Sequence, residues 1–157
     1  GSVGVLSDGM SSRLVTEVRE KRGLCYAVFA VCHTLRDRGC VVCYAGTTTD
    51  RAQETMDVLV RELRRLADGV RADELQRLKA RLKSALIMQQ ESSSSRSGSI
   101  AADWYYLNRV QTLEHVRRIV EGLTCESINT YLIEHPPSDF TAVTLGPKRL
   151  ELPVDIP

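Results

Sequence analysis

Residues 9–26, Gly-Met-Ser-Ser-Arg-Leu-Val-Thr-Glu-Val-Arg-Glu-Lys-Arg-Gly-Leu-Cys-Tyr, constrain the fold more than any other stretch of this chain. They read as helix, stop and strand. Ser7 or Asp8 offers a side-chain oxygen to cap the free amides at the helix start. Met10, Leu14 and Val18 recur every four residues and so share one helix face. Lys21 and Arg22 fall in the last turn, where cations suit the negative end of the helix dipole. Gly23 follows, at the position where a left-handed residue ends a helix without steric cost. From Leu24 to Thr34 the residues are mostly apolar, aromatic or β-branched, which predicts a strand. This order brings Arg19, near the helix end, towards Tyr26, near the strand start.

Leu35-Arg-Asp-Arg-Gly39 is short and polar, as a hairpin connection should be, and Cys40–Thr47 is the returning strand. Both strands are apolar on nearly every residue, so both sheet faces are expected to be covered. Helices follow. One runs from about Arg51 to Asp68 on a stripe of Ala52, Met56, Leu59, Leu63 and Leu66, and stops at Gly69. The next begins at Ala72 or Asp73 and carries Leu75, Leu78, Leu82, Ala85 and Leu86. The run Glu91-Ser-Ser-Ser-Ser-Arg-Ser-Gly-Ser99 reads by itself as a flexible linker. Ala101, Trp104, Tyr105 and Leu107 then resume an apolar face. Thr112 caps a short helix to Gly122, and Thr124 caps another that Pro136-Pro137 ends. Phe140–Leu145 alternates as a last strand. The fold class expected is α+β, a largely antiparallel sheet with helices packed on one side.

The first stretch also carries a family resemblance. Gly9–Leu14, Arg19–Gly23, Leu24 and Tyr26 resemble the C-terminal-type domain of the pitrilysin/insulinase zinc peptidases, in the branch that includes the mitochondrial processing peptidases. Cys25 stands where that family usually has alanine. Weaker agreement continues through Asp73-Glu-Leu-Gln-Arg-Leu-Lys79, Glu91–Arg96 and Leu145-Gly-Pro147, so the resemblance covers almost the whole chain. It implies a domain over residues 1–150 with a tail at 151–157, forming half of a clamshell metallopeptidase. It also implies helix on both sides of the serine run, with a kink or short break there, and a further strand or two before residue 1.

The same resemblance bears on chemistry. The family's zinc site is His-x-x-Glu-His with a distant Glu, in which one helical turn sets both histidines on one face. This chain has only His33, His115 and His135. Its nearest approach, Tyr131-Leu-Ile-Glu134-His135, has Tyr in place of the first ligand. No metal or cofactor is therefore expected in the chain itself; the resemblance puts zinc in a partner domain of the same polypeptide or in a partner subunit. It also implies that Arg19 and Tyr26 bind a peptide substrate, Tyr26 donating to a carbonyl or oxyanion and Arg19 offering a fork of charged donors. Spacing alone favours a plainer reading, with Arg19 a solvated helix charge and Tyr26 an ordinary strand aromatic. Arg13 and Arg22 read as structural or surface residues, and Asp73, Glu74 and Glu20 as helix-terminus or solvent charges. The expected function is the substrate-binding, non-zinc domain of a peptidase acting on peptides or unfolded segments, inactive alone. The alternative is a proteolytically inactive scaffolding homologue.

Composition enters as exclusion. Twenty-one Lys and Arg against 20 Asp and Glu leave a net charge of +1, which gives no electrostatic argument for nucleic acid or an anionic membrane. No apolar run approaches the roughly 20 residues that span a bilayer. Five cysteines are an odd number, against a disulfide framework and in keeping with a reducing cytoplasm. Cys40-Val-Val-Cys43 has redox-pair spacing, but residues three apart on a strand point to opposite faces, so the two read as small buried hydrophobes.

Overall fold

The computed structural model describes residues 2–153. Helix α1 (Ser2–Ser7) leads through a turn into a helical segment whose last part, Val15–Glu20, is π-helical. Strands β1 (Cys25–Thr34) and β2 (Gly39–Thr47) form an antiparallel hairpin. Helices α2 (Ala52–Arg64), α3 (Ala72–Glu91), α4 (Ser93–Leu107), α5 (Leu113–Gly122) and α6 (Cys125–Glu134) follow. The α+β class with an antiparallel sheet and helices on one side is the observed one.

One contiguous core joins these pieces. Val5 and Leu6 of α1, Leu14, Val15 and Val18 of the helical segment, and Cys25 and Val28 of β1 meet Val58, Leu63, Leu66, Leu75 and Leu78. Ile128 and Leu132 of α6 close it. On the inner face of the hairpin, Ala30, Cys43 and Ala45 pack against the same cluster.

Several local signals act as expected. Gly23 adopts φ +58°, and Leu24 N–H then reaches back to Val18 O at 3.0 Å, closing the helix and launching the strand. Thr112 and Thr124 accept hydrogen bonds from His115 N–H (3.2 Å) and Ser127 N–H (3.0 Å), the capping geometry their spacing predicts. The serine run is helical on both sides of a single extended residue, Ser92, whose side chain caps α4 by accepting from Ser95 N–H at 3.2 Å.

Other expectations fail for physical reasons. Ser7 and Asp8 do not cap the second helical segment. Ser7 ends α1 and accepts a hydrogen bond from Ala30 N–H of β1 at 2.6 Å, while Asp8 pairs with Arg81 of α3 at 2.9 Å. The backbone at Gly9, φ +95°, is left-handed, so no right-handed helix passes through it. Met10 consequently sits in the turn, 63% exposed, and only Leu14 and Val18 of the expected stripe are buried. The buried face of α2 is rotated as well. Leu63 and Leu66 are buried, but Ala52, Met56 and Leu59 are half-buried, and Thr55 and Val58 lie inward instead. Thr55 holds that orientation because its hydroxyl reaches Arg51 O (2.8 Å) and the Thr47 hydroxyl (3.2 Å).

The outer face of the hairpin is uncovered: Phe29, Val42 and Tyr44 are all exposed. An apolar pattern on both faces of a strand reports what could be buried, not what is. Phe140–Leu145 forms no strand either, since no described strand lies alongside to supply a ladder; Val143 and Leu145 are exposed and only Phe140 turns to the core. Likewise Trp104, Tyr105 and Leu107 of α4 stay exposed, although Tyr106 anchors the helix to the hairpin tip by donating to Thr34 O at 3.1 Å. At the other end, Glu151 exchanges two hydrogen bonds with the Gln53 side chain, at 2.8 and 2.9 Å.

Candidate functional site

The base of the hairpin is set by the segment that opened the sequence reading. In its π-helical part the i+5 bonding widens the turn, with Lys21 N–H on Thr16 O at 3.0 Å. Such widening changes the phase at which side chains leave the helix, and here it falls on Val15–Glu20, which contains Arg19. The basic residues beyond it are engaged with one carboxylate. Lys21 and Arg22 both hold Glu17, at 2.6 and 2.9 Å, and their hydrogen bonds keep the Glu17 carboxyl below its ordinary range. Arg19 is different. Its nearest carboxylate is Glu20 at 3.9 Å, its side chain is about half exposed, and its charge reaches the Cys25 thiol. Burial is the larger influence on that thiol and pushes it up.

Tyr26 lies one residue beyond Cys25, at an irregularity in the ladder. Cys25 pairs with Thr47 and Ala27 with Gly46, so Tyr26 has no partner of its own and occupies a β-bulge. Bulges bend a strand and re-aim a side chain. The Tyr26 ring lies across Gly46: a Cβ built on that glycine would be 2.4 Å from Cζ and 2.5 Å from the hydroxyl oxygen. Tyr26 is nevertheless 70% exposed. Beside it, Tyr44 stacks on Phe29, ring centroids 5.2 Å apart at 26°. The neighbouring Tyr26 phenol pushes the Tyr44 phenol up.

The turn therefore carries both predicted residues, Arg19 on its helical arm and Tyr26 on its strand arm, each open to solvent. Sequence reasoning missed the features around them. Gly46 and Tyr44 lie 20 and 18 residues beyond Tyr26, and only strand pairing brings them to it. The signal available was the expected register of a short hairpin, but the bulge shifts it by one residue.

Behind the turn is a second polar cluster. Arg13 donates to both Glu74 oxygens at 2.8 Å, to Gly69 O at 2.6 Å and to Arg65 O at 3.2 Å. Glu74 also accepts from Arg71 N–H at 2.9 Å. The Arg13 guanidinium, assisted by Arg71, holds the Glu74 carboxyl below its ordinary range against the effect of burial. Glu74 is thus neither a solvent charge nor a simple helix-terminus residue. It is 7% exposed and ties the first helical segment to α3, and Arg13 has the structural role expected of it.

The histidines stand on separate elements: His33 near the tip of β1, His115 in α5, and His135 capping the end of α6 with its ring stacked on Tyr131. Among the described residues, no three His, Cys, Asp or Glu side chains are grouped to hold a metal ion. The described residues thus offer no donor set that would fit a zinc ion. The five cysteines are unbridged, with Cys40 exposed and Cys43 half-buried. Among the described residues no helix is long and apolar enough to cross a membrane.

In sequence and in fold the chain is similar to known proteins. Residues 3–82 match the family described as the peptidase M16 inactive domain. A curated relative, an uncharacterized zinc protease of Mycobacterium tuberculosis, is 32% identical over 143 residues, covering 90% of this chain and 33% of the relative. Another, from Bacillus subtilis, is 27% identical over 91% of this chain and 35% of its own. The chain thus spans about a third of the length of these relatives. Among solved structures, the peptidase M16 inactive domain from Pseudomonas fluorescens superposes with a TM-score of 0.69 at 26% identity, covering 85% of this chain and 32% of that one. A protease from Helicobacter pylori gives 0.72 at 25%, over 84% and 32%. A chain of complex III2 from Candida albicans gives 0.71 at 16%, over 83% and 33%, and shares the fold. By sequence match across half its length and by fold, the chain belongs to the peptidase M16 inactive-domain family.

Proposed function

We propose that this chain is the substrate-binding, non-zinc domain of a zinc-dependent peptidase that hydrolyses peptides or unfolded segments, with Arg19 and Tyr26 as its substrate contacts. The zinc and the general base belong, under this reading, to a zinc-bearing domain in the same polypeptide or in a partner subunit. The observation that carries it is that the hairpin base sets a cation without a close carboxylate beside a turn with an exposed tyrosine. Of the cations from Arg19 to Arg22, Arg19 alone has no carboxylate within 3.5 Å, and the neighbouring turn presents a tyrosine that is 70% exposed.

Tyr26 can donate its hydroxyl hydrogen to a peptide carbonyl, or more strongly to the oxyanion that develops as that carbonyl is attacked. Arg19 can span two acceptors with its planar fork. Neither residue can activate water, so the chain alone should not hydrolyse peptides.

The test supplies the zinc-bearing half and measures kcat/KM on a peptide. Tyr26→Phe removes one hydrogen bond and keeps the ring, so kcat/KM should fall roughly 3- to 150-fold, the upper end applying if the bond forms mainly with the oxyanion. Arg19→Lys keeps charge and loses the fork, and should also be damaging. Unchanged kcat/KM in both variants, with unchanged melting, overturns the assignment. An assembly that never cleaves would favour a scaffolding role.

A further inference from the structure

We propose that Arg51 and Thr47 are positioning residues for the substrate contacts, fixing the backbone of the turn that joins Arg19 to Tyr26. This rests on the reading of Arg19 and Tyr26 as substrate contacts.

The two contacts stand on different elements, so their spacing depends on the short link between the helical segment and β1. Secondary structure alone fixes that link poorly. Gly23, at φ +58°, is a residue of high backbone freedom, and at the far end Tyr26 occupies the bulge with no ladder partner of its own. Between them run two peptide planes, Gly23–Leu24 and Leu24–Cys25. The first is gripped on both sides. Its N–H, on Leu24, donates to Val18 O at 3.0 Å, and its carbonyl, on Gly23, accepts from the Arg51 guanidinium. The second has its carbonyl, on Leu24, accepting from the Thr47 hydroxyl at 2.5 Å.

Both donors come from the other side of the hairpin. Thr47 ends β2, and Arg51 closes the 3₁₀ turn Thr49–Arg51 in front of α2. The buried Thr55 hydroxyl, 2.8 Å from Arg51 O and 3.2 Å from the Thr47 hydroxyl, joins the two into one network. Arg51 also brings a cation to the carbonyl end of the helical segment, where the helix dipole favours it. The angle between the helical arm and the strand arm is thereby set by side chains of neither arm. That angle decides how far Arg19 stands from Tyr26. A contact group misplaced by about 1 Å can cost on the order of 100-fold in rate. Losing one of two carbonyl restraints, with the other kept, should cost less.

The experiment measures kcat/KM on a peptide in the peptidase assembled with its zinc-bearing half. Thr47→Val keeps the side-chain shape and removes the hydroxyl; Arg51→Met keeps the aliphatic stem and removes the donors. Each is tested alone and in a chain that also carries Arg19→Ala and Tyr26→Phe. Alone, each should lower kcat/KM roughly 3- to 10-fold; where both contacts are already gone, each should cost less than about 2-fold. Thr47→Ser retains the hydroxyl and should recover most of the loss. Thermal melting gives the folded fraction of every variant. Arg51 is exposed, so Arg51→Met carries the argument if Thr47→Val reduces that fraction. If Tyr26→Phe or Arg19→Ala is damaging while Arg51→Met and Thr47→Val leave kcat/KM at the wild-type value, the positioning inference is overturned and the reading of the contacts stands. If the two changes cost as much without the contacts as with them, their role is merely structural and the inference also fails. Wild-type kcat/KM for both Tyr26→Phe and Arg19→Ala overturns the underlying reading, and the inference with it.

Discussion

The Arg13–Glu74 pair offers the sharpest test of how the helical segment is held against α3. Its side chains are 14% and 6% exposed, so both charges are largely out of water. Removing one partner from such a pair leaves an uncompensated charge and typically costs about 3–5 kcal/mol. Arg13→Ala also strips donors from Gly69 O and Arg65 O, while Arg71 N–H still serves Glu74; we expect roughly 3–4 kcal/mol. For a domain of this size that corresponds to a fall in Tm of about 6–15 °C. Glu74→Gln preserves shape and weakens two charge-assisted bonds to ordinary ones, so about 1–2 kcal/mol is expected. The sign of the pH effect follows from Glu74. Its folded-state pKa lies below the ordinary value, so its contribution is fully present above the unfolded pKa, near 4.5, and is lost as pH falls through the lower folded value. Urea unfolding of wild type, Arg13→Ala and Glu74→Gln between pH 7 and pH 3 measures all three quantities. Arg13→Ala within 0.5 kcal/mol of wild type would refute the reasoning, as would an undiminished acid dependence in Glu74→Gln after allowance for the other carboxylates.

Three further outcomes are expected. Leu14→Ala, at a side chain with no exposure, should cost about 2–5 kcal/mol, whereas Met10→Ala should change stability by less than about 0.5; similar losses at both sites would restore the four-residue helical stripe. Ser12→Ala should stabilise by about 1 kcal/mol in thermal melting, because the Ser12 hydroxyl is buried with no hydrogen-bond partner; clear destabilisation would show that the hydroxyl is satisfied. Metal analysis of the purified, tag-free chain after dialysis should find well below one zinc per chain, since the described His, Cys, Asp and Glu side chains form no group of three; stoichiometric zinc would contradict that.

The legible features were those decided within a few residues. Gly23 ends a helix because a left-handed residue is cheap only there, and Thr112 and Thr124 cap because a short side-chain oxygen reaches an amide three residues on. The hairpin followed from a polar link between two apolar runs, and the family was carried by one long motif of fixed spacing. Tertiary packing decided the rest. Left-handed Gly9 next to Arg81 moved the helix start and stranded Met10 in a turn. Thr55, drawn inward by the Arg51 carbonyl and Thr47 hydroxyl, turned the face of α2 that periodicity had set. Glu74 became a buried ligand of Arg13 across 61 residues of sequence, although a glutamate in a first helical turn is equally at home in water. At the candidate site, Arg19 and Tyr26 could be picked out by motif, but the bulge and the bare backbone of Gly46 could not. Whether a glycine is a flexible joint or a seat for an aromatic ring depends on which strand lies opposite, and that is settled only when the ladder forms.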